Sequence, residues 1–415
     1  MRILLIAHKF SPNNNVGARR WTKFYKYIRK SGVEITVLTG IADPQSNNWG
    51  FDTSGDPNII RSNGFIDRLS KITFFSKIIY FFRILINHKF LKHTDEGFGF
   101  SQKIYRKAKK IITEKKITHL IATNPPNSIA YFAAKIKREF PELILVQDFR
   151  DAWMQAYETY KTGYDETHDM YKREQHMEVF AAENADIILS VVPETTEYFK
   201  KYNPRTFLLT NGYDSQDRQL EQPAYPEHIL KKDKINLCHF GTLDFGRETE
   251  FLRFIRELFK NTSFQQKLHI VLAGFVHEHI KTELSHYSNI ILVEKLTGME
   301  LERVMFHADI HLVVNDKVLY YAYGSKIFDA FLYQKPLLFI TRKQSLSDFV
   351  EIHRLGIWID PDLFAYEHIE QQISELIKRS HEENFKEYYR QCTQSFNVVH
   401  ITNQLLHVID QKNNA

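Results

Sequence analysis

The segment Tyr323-Gly324-Ser325-Lys326-Ile327-Phe328-Asp329 places a small-residue turn, a cation and a carboxylate at the start of a stretch with helical spacing. That combination can hold a nucleotide diphosphate. Unpaired amides at Gly324 and Ser325, together with the positive end of a helix dipole, attract an anion. Lys326 adds a mobile positive charge, and Asp329 falls on the same helical face, where it can reach a sugar hydroxyl. Taken alone, the loop reads equally well as an ordinary strand-to-helix turn with Ser325 as its cap.

Other segments carry related equipment. Cys238-His-Phe-Gly241-Thr242-Leu-Asp-Phe-Gly246-Arg247 again reads as a strand running into a glycine-containing loop and a helix. Arg247 can fork two phosphate oxygens, whereas Lys326 supplies a point charge. In the first half of the chain, Asp148-Phe-Arg150-Asp151-Ala-Trp153 follows a buried strand over Leu143–Val146 and so falls at a sheet's carboxyl edge, where ligands bind. There Asp151, or Asp148, is the candidate to accept a proton from an acceptor hydroxyl, with Arg150 and Trp153 shaping the acceptor site. An internal Asp–Arg salt bridge orienting the loop is the competing reading. Gly17-Ala-Arg19-Arg20 could bring a backbone amide near both substrates, or be a plain turn with solvent-facing arginines.

The elements that must position these residues follow from periodicity. Met1 to Ile6 is an apolar strand, and Trp21, Phe24, Tyr25 and Ile28 after it fall at i, i+3, i+4 and i+7. First-half strands are expected at Ile3–Ile6, Glu34–Thr39, Thr118–Thr123, Ile144–Phe149, Ile187–Val192 and Thr206–Thr210. Second-half strands are expected at Ile235–Phe240, Leu268–Ala273, Ile290–Val293, Ile310–Val314, Leu337–Ile340 and Ile357–Ile359. Strands alternating with helices imply an α/β protein built of two Rossmann-type halves. The length of 415 residues also exceeds the usual limit of a single core. The expected boundaries are 1–213 for the first domain, 214–234 for a linker, 235–395 for the second domain and 396–415 for a final helix.

These blocks, with Thr123-Asn-Pro-Pro126 and Asn211-Gly212-Tyr-Asp214, resemble in order and spacing the GT-B glycosyltransferases, in particular the retaining family 4 enzymes of bacterial polysaccharide synthesis. The resemblance implies two Rossmann-like domains facing across a cleft, with the C-terminal helix crossing back to the N-terminal domain. It implies transfer of a sugar from a nucleotide-diphosphate sugar to a hydroxyl of a growing, lipid-linked or oligosaccharide acceptor. Donor-binding residues would be Gly17, Gly241, Thr242, Arg247, Gly324, Ser325, Lys326 and Asp329; acceptor-binding residues would be Asp148, Arg150, Trp153 and Arg19. Asp151, Arg247 and Lys326 would be catalytic. No protein nucleophile is evident, which leaves the departing phosphate to assist the incoming hydroxyl. The chain departs from the pattern at two places. Thr242 stands where the family often has an arginine, and Tyr321 and Asp329 stand at the two glutamates of its Glu-x7-Glu, so the donor sugar stays open. A nucleotide-sugar epimerase of the same fold and a non-catalytic nucleotide-sugar-binding partner are the alternatives.

No metal or other cofactor is expected: no Asp-x-Asp is read along the chain, and His277-Glu-His279 would place its rings on different helix faces. Two cysteines are too few for a disulfide framework and suggest a reducing cytoplasm. The start reads as a strand and not a signal peptide. No apolar run reaches the roughly 18 residues of a membrane span. Phe65–Lys92 instead mixes aromatics with six cations against one acid. With a second basic face at Lys103, Arg106, Lys107 and Lys110, it suits an anionic membrane surface, placing the protein at the inner face of the cytoplasmic membrane. A solvated surface over a core helix is the plainer reading. Nucleic acid is not expected as a partner, because zinc spacings, repeats and recognition signatures are missing.

Overall fold

The computed structural model describes residues 1–13, 16–41, 53, 55–62, 98–156, 169–244, 246–294, 296, 298–316, 323–363 and 366–410. Phe65–Lys92 and Tyr321 lie outside them. The chain divides into two compact units, Met1–Asn211 with Val398–Ala415, and Gly212–Asn397.

The first unit runs β1 (Arg2–Ala7), α1 (Val16–Lys30), β2 (Glu34–Thr39), β3 (Ile59–Arg61), α2 (Phe98–Lys115), β4 (His119–Asn124), α3 (Ser128–Glu139), β5 (Ile144–Phe149), α4 (Asp169–Glu183), β6 (Ile187–Ser190), α5 (Pro193–Lys200) and β7 (Thr206–Leu208). All its strands are parallel, in the order β3-β2-β1-β4-β5-β6-β7. Successive side chains of a strand point to opposite faces, and in β1 both faces are covered. Ile3, Leu5 and Ala7 join Trp21, Phe24, Tyr25 and Ile28 of α1 on one side. Leu4 and Ile6 join Ile104, Ala108 and Ile111 of α2 on the other. A strand buried on both faces reads as a continuous apolar run, which is why β1 was legible.

The second unit runs β8 (Ile235–Phe240), α6 (Arg247–Leu258), α7 (Thr262–Gln265), β9 (Leu268–Ala273), α8 (Glu278–Leu284), β10 (Ile290–Val293), α9 (Gly298–His307), β11 (Ile310–Val314), α10 (Lys326–Leu332), β12 (Leu337–Ile340), α11 (Ser345–His353), β13 (Gly356–Ile359), α12 (Tyr366–Ser380) and α13 (Glu383–Thr393). Its parallel sheet has the order β10-β9-β8-β11-β12-β13. The last helix, α14 (Val398–Asp410), returns to the first unit, where Val398, Ile401, Leu405 and Ile409 are buried in the same cluster as Trp21.

Two expectations are corrected and one strand is added. Asp214–Lys234 is packed into the second unit and is not a free linker: Ile229 and Leu230 are buried beside Cys238, and the amides of Gln219 and Leu220 both donate to Glu302 Oε1 at 3.0 Å. The edge strand β3 went unpredicted because three residues are too few to show a period. The strand expected to reach Val192 ends at Ser190, because Val192 takes the N-cap position and Pro193 opens α5.

Candidate functional site

In the first unit the Asp148–Trp153 block divides its labour. Asp148 continues the strand face of Ile144 and Val146, which looks toward α1, and so its carboxylate is driven inward. Its Oδ1 accepts from Arg20 Nη2 at 3.1 Å, and its Oδ2 accepts from Trp21 Nε1 at 2.6 Å and Thr123 Oγ1 at 2.8 Å. With no exposed surface it is not an acceptor-binding group, a correction to the sequence reading. The salt bridge weighed there does exist, but its partner is Arg20.

Arg20 is buried, which answers the alternative of a plain turn with solvent-facing arginines at this position. Its Nη1 donates to the Thr210 carbonyl at 2.7 Å and its Nη2 to the Leu209 carbonyl at 2.8 Å. Burial pulls the Arg20 pKa down, Asp148 opposes that shift, and Arg150 adds to it.

Arg150 is half-buried, and its guanidinium is committed to backbone. It donates to three carbonyls, those of Gly17 (2.7 Å), Asn124 (3.1 Å) and Pro125 (3.1 Å), stapling the first turn of α1 and the end of β4 to the segment after β5. Trp153 is a core residue whose Nε1 donates to the buried Glu174 at 2.8 Å. Glu178, one turn on, accepts from the amide of Met154 at 2.8 Å. Two buried glutamates of α4 thus hold the turn on which Asp151 rides, and nothing in the local sequence signals them.

Asp151 itself is exposed. The protein packed around it still raises its pKa above the ordinary aspartate value, Arg150 lowers it and Asp148 raises it further. A reachable carboxyl with a raised proton affinity is suited to general-base work. Gly17 and Arg19, in the first turn of α1, are half-buried.

In the second unit the strand order reverses between β8 and β11, and the loops after these two adjacent strands carry the remaining candidates. In open parallel sheets such a switch point is where ligands bind. The loop after β8 is shaped by glycine. At Gly274 (φ +150°) an added Cβ would lie 1.9 Å from the Gly241 carbonyl oxygen, so the β8 and β9 exits approach backbone to backbone. At Gly246 (φ +87°) a Cβ would meet Asp316 Oδ2 at 2.2 Å. Gly246 precedes Arg247, the first residue of α6, whose Nη1 lies 3.4 Å from Asp244 Oδ1. Burial raises the Asp244 pKa and Arg247 lowers it. Thr242 is exposed and Gly241 half-buried.

After β11, Gly324 is exposed, and Ser325 takes the N-cap position of α10 in right-handed helical geometry with no side-chain capping bond. Lys326 Nζ lies 3.4 Å from Asp329 Oδ2, and Asp329 is otherwise buried. Cation and carboxylate of the first turn of α10 therefore meet each other.

The metal expectation needs two amendments. One Asp-x-Asp does occur, Asp360-Pro361-Asp362, and both oxygens of Asp362 are engaged, by Arg342 Nε and Arg253 Nη2, each at 2.5 Å. His277 caps α8 from outside the helix, so its ring stacks on His279 at 5.8 Å and does not point to another face.

No protein-family model and no curated protein matches the chain. Solved structures do. Sucrose-phosphate synthase from Thermosynechococcus elongatus superposes with a TM-score of 0.69 at 14% identity, covering 100% of this chain and 99% of that one. WaaG, a glycosyltransferase involved in lipopolysaccharide biosynthesis, gives 0.59 at 14% identity over 98% and 99%. UDP-GlcNAc 2-epimerase from Methanocaldococcus jannaschii gives 0.55 at 9% identity over 99% and 100%. The chain thus has, along its whole length, the α/β fold of two Rossmann-like domains that GT-B glycosyltransferases share with these epimerases.

Proposed function

We propose that the protein is a glycosyltransferase that moves a sugar from a nucleotide-diphosphate sugar to a hydroxyl of a growing, lipid-linked glycan, with retention and without a metal. The observation that carries this reading is the pair of loops at the β8/β11 switch point, one opening a helix with Arg247 and the other with Lys326. Departure of the nucleotide diphosphate builds negative charge on the bridging oxygen as the sugar becomes oxocarbenium-like. Fixed positive potential at that phosphate is then the largest catalytic contribution. Arg247 and Lys326 supply it, exchanging Asp244 and Asp329 for phosphate oxygens, and Asp329 turns to the ribose. Asp151 accepts the acceptor proton. The solved structures of similar fold include one named as a glycosyltransferase involved in lipopolysaccharide biosynthesis, WaaG, and one named as a sucrose-phosphate synthase.

The membrane side of the proposal is supported by α2, where Lys103, Arg106 and Lys110 are exposed. Lys107 is half-buried and reaches the Arg61 carbonyl at 3.3 Å. Among the described residues no helix is long and apolar enough to cross a membrane.

Epimerisation is the second reading, favoured by the epimerase superposition. The deciding experiment offers a panel of nucleotide sugars with and without glycan acceptor. Free nucleoside diphosphate appearing only with acceptor supports transfer, and interconverted nucleotide sugar without acceptor supports epimerisation. Binding without either product would make the chain a non-catalytic partner, as the substitutions at Thr242 and Tyr321 allow.

A further inference from the structure

His239 stands near the end of β8, two residues before Gly241. Strand alternation puts it on the same face as Leu237, toward α6 and Arg247. Its ring is buried, and Nδ1 lies 3.1 Å from the carbonyl of Leu312 on β11. A carbonyl only accepts, so Nδ1 carries the proton and Nε2 of the neutral ring is a bare lone pair. That Nε2 is buried with no hydrogen-bond partner among the described residues, while the backbone of Thr242, three residues on, favours the charged form of the ring. An unsatisfied buried nitrogen calls for an explanation. One more proton would repair it, because an imidazolium donates at both nitrogens.

Burial opposes that proton, and so does Arg247, the charged group that faces the ring; together they hold the His239 pKa down at about 4 against the pull of the Leu312 and Thr242 backbone. A diphosphate seated on Arg247 and the Gly241 loop would reverse the sign of the local charge. We propose that His239 is a positioning residue that takes up one proton from solvent when the diphosphate binds, its Nε2–H then donating to the Thr242 carbonyl and tying the Gly241 loop to β11. The inference rests on the diphosphate reading of this loop. No bond to substrate forms or breaks in this step; the proton comes from buffer and returns to it on release.

The test is calorimetry of uridine, guanosine and adenosine diphosphate binding to the full chain at pH 6, in buffers of different ionisation enthalpy. The wild-type protein is compared with His239→Gln, which keeps a donor amide but cannot titrate. Ionisation of the ligand's own phosphates is common to both proteins and cancels. The expected result is that the wild type takes up more protons per diphosphate than the variant, by up to one, and that its affinity relative to the variant's rises as pH falls from 7 to 6. Equal proton counts in two proteins that both bind would overturn the inference while leaving the diphosphate reading intact. Failure of the wild type to bind any of the three would overturn that reading itself. Should the variant not fold, 15N-histidine spectra of the wild type decide: the His239 Nε2 resonance should move from lone-pair to protonated character on adding ligand, and an unmoved resonance rejects the proposal.

Discussion

Arg20 of α1 and Asp148 of β5 form an ion pair of 3.1 Å with side chains 3% and 0% exposed. The same guanidinium holds the carbonyls of Leu209 and Thr210, among the last residues of the first unit before the chain leaves it at Gly212. Helix, strand and exit segment are fixed by one buried charge. Removing one partner strands the other without water, so Arg20→Ala or Asp148→Ala should each cost about 3–5 kcal/mol. Denaturant unfolding checks it. The double variant should lose less than the two single losses added together, because the buried charge left behind by either one is gone.

Lys326→Ala and Arg247→Ala should each lower turnover by about 10²- to 10³-fold, since each removes a donor to developing phosphate charge. Steady-state rates of nucleoside diphosphate release measure it, and unchanged rates in both variants would end the assignment of these loops. A chelator should leave the rate intact; loss of activity restored by manganese would refute metal-free transfer.

Asp151→Asn should depress transfer while nucleoside diphosphate affinity stays nearly unchanged. Because crowding raises the Asp151 pKa, the acidic limb of the wild-type rate profile should lie above the ordinary aspartate range and vanish in the variant's residual activity. The stability sign runs with it. A carboxyl whose folded pKa is raised is tolerated while protonated and becomes costly as pH climbs from its unfolded value of 3.8 through its folded one. The amide variant should therefore be at least as stable as the wild type at neutral pH, and a destabilised variant would return the residue to a structural role.

The contrast between Asp148 and Asp151 marks what the sequence could convey. The block was recognisable as a sheet-edge constellation, and the two-unit α/β plan followed from strands apolar on both faces. Which carboxylate faces out depends on where β5 stops and which way Phe149 points, and a shift of one residue reverses that answer. Glu174 and Glu178 were less legible still. On a helix they read as solvated charges, and only Trp153 and Met154 arriving from another segment bury them.

Gly274→Ala should destabilise the second unit by more than about 1 kcal/mol, since it combines a left-handed φ with a backbone oxygen in the space of the new methyl. Thermal unfolding should report it. Gly32→Ala, which shares a positive φ but opens onto empty space, isolates the conformational part and should cost less.

Association with liposomes should need anionic lipid and weaken with salt, each cation near the surface adding about 1 kcal/mol at best. Replacing Lys103, Arg106 and Lys110 by Gln should reduce it in a sedimentation assay. A chain that never sediments with anionic liposomes at low salt would favour a soluble acceptor.

Because α14 belongs to the unit that opens the chain, the order of synthesis and the order of assembly differ. The ribosome delivers Trp21 and Ile28 early and their covering residues Ile401, Leu405 and Ile409 last, after the whole second unit has been made. The nascent first unit therefore waits with one apolar layer uncovered while the other folds as a continuous segment. Domains generally fold as units while the chain emerges. Here the amino-terminal unit is completed second.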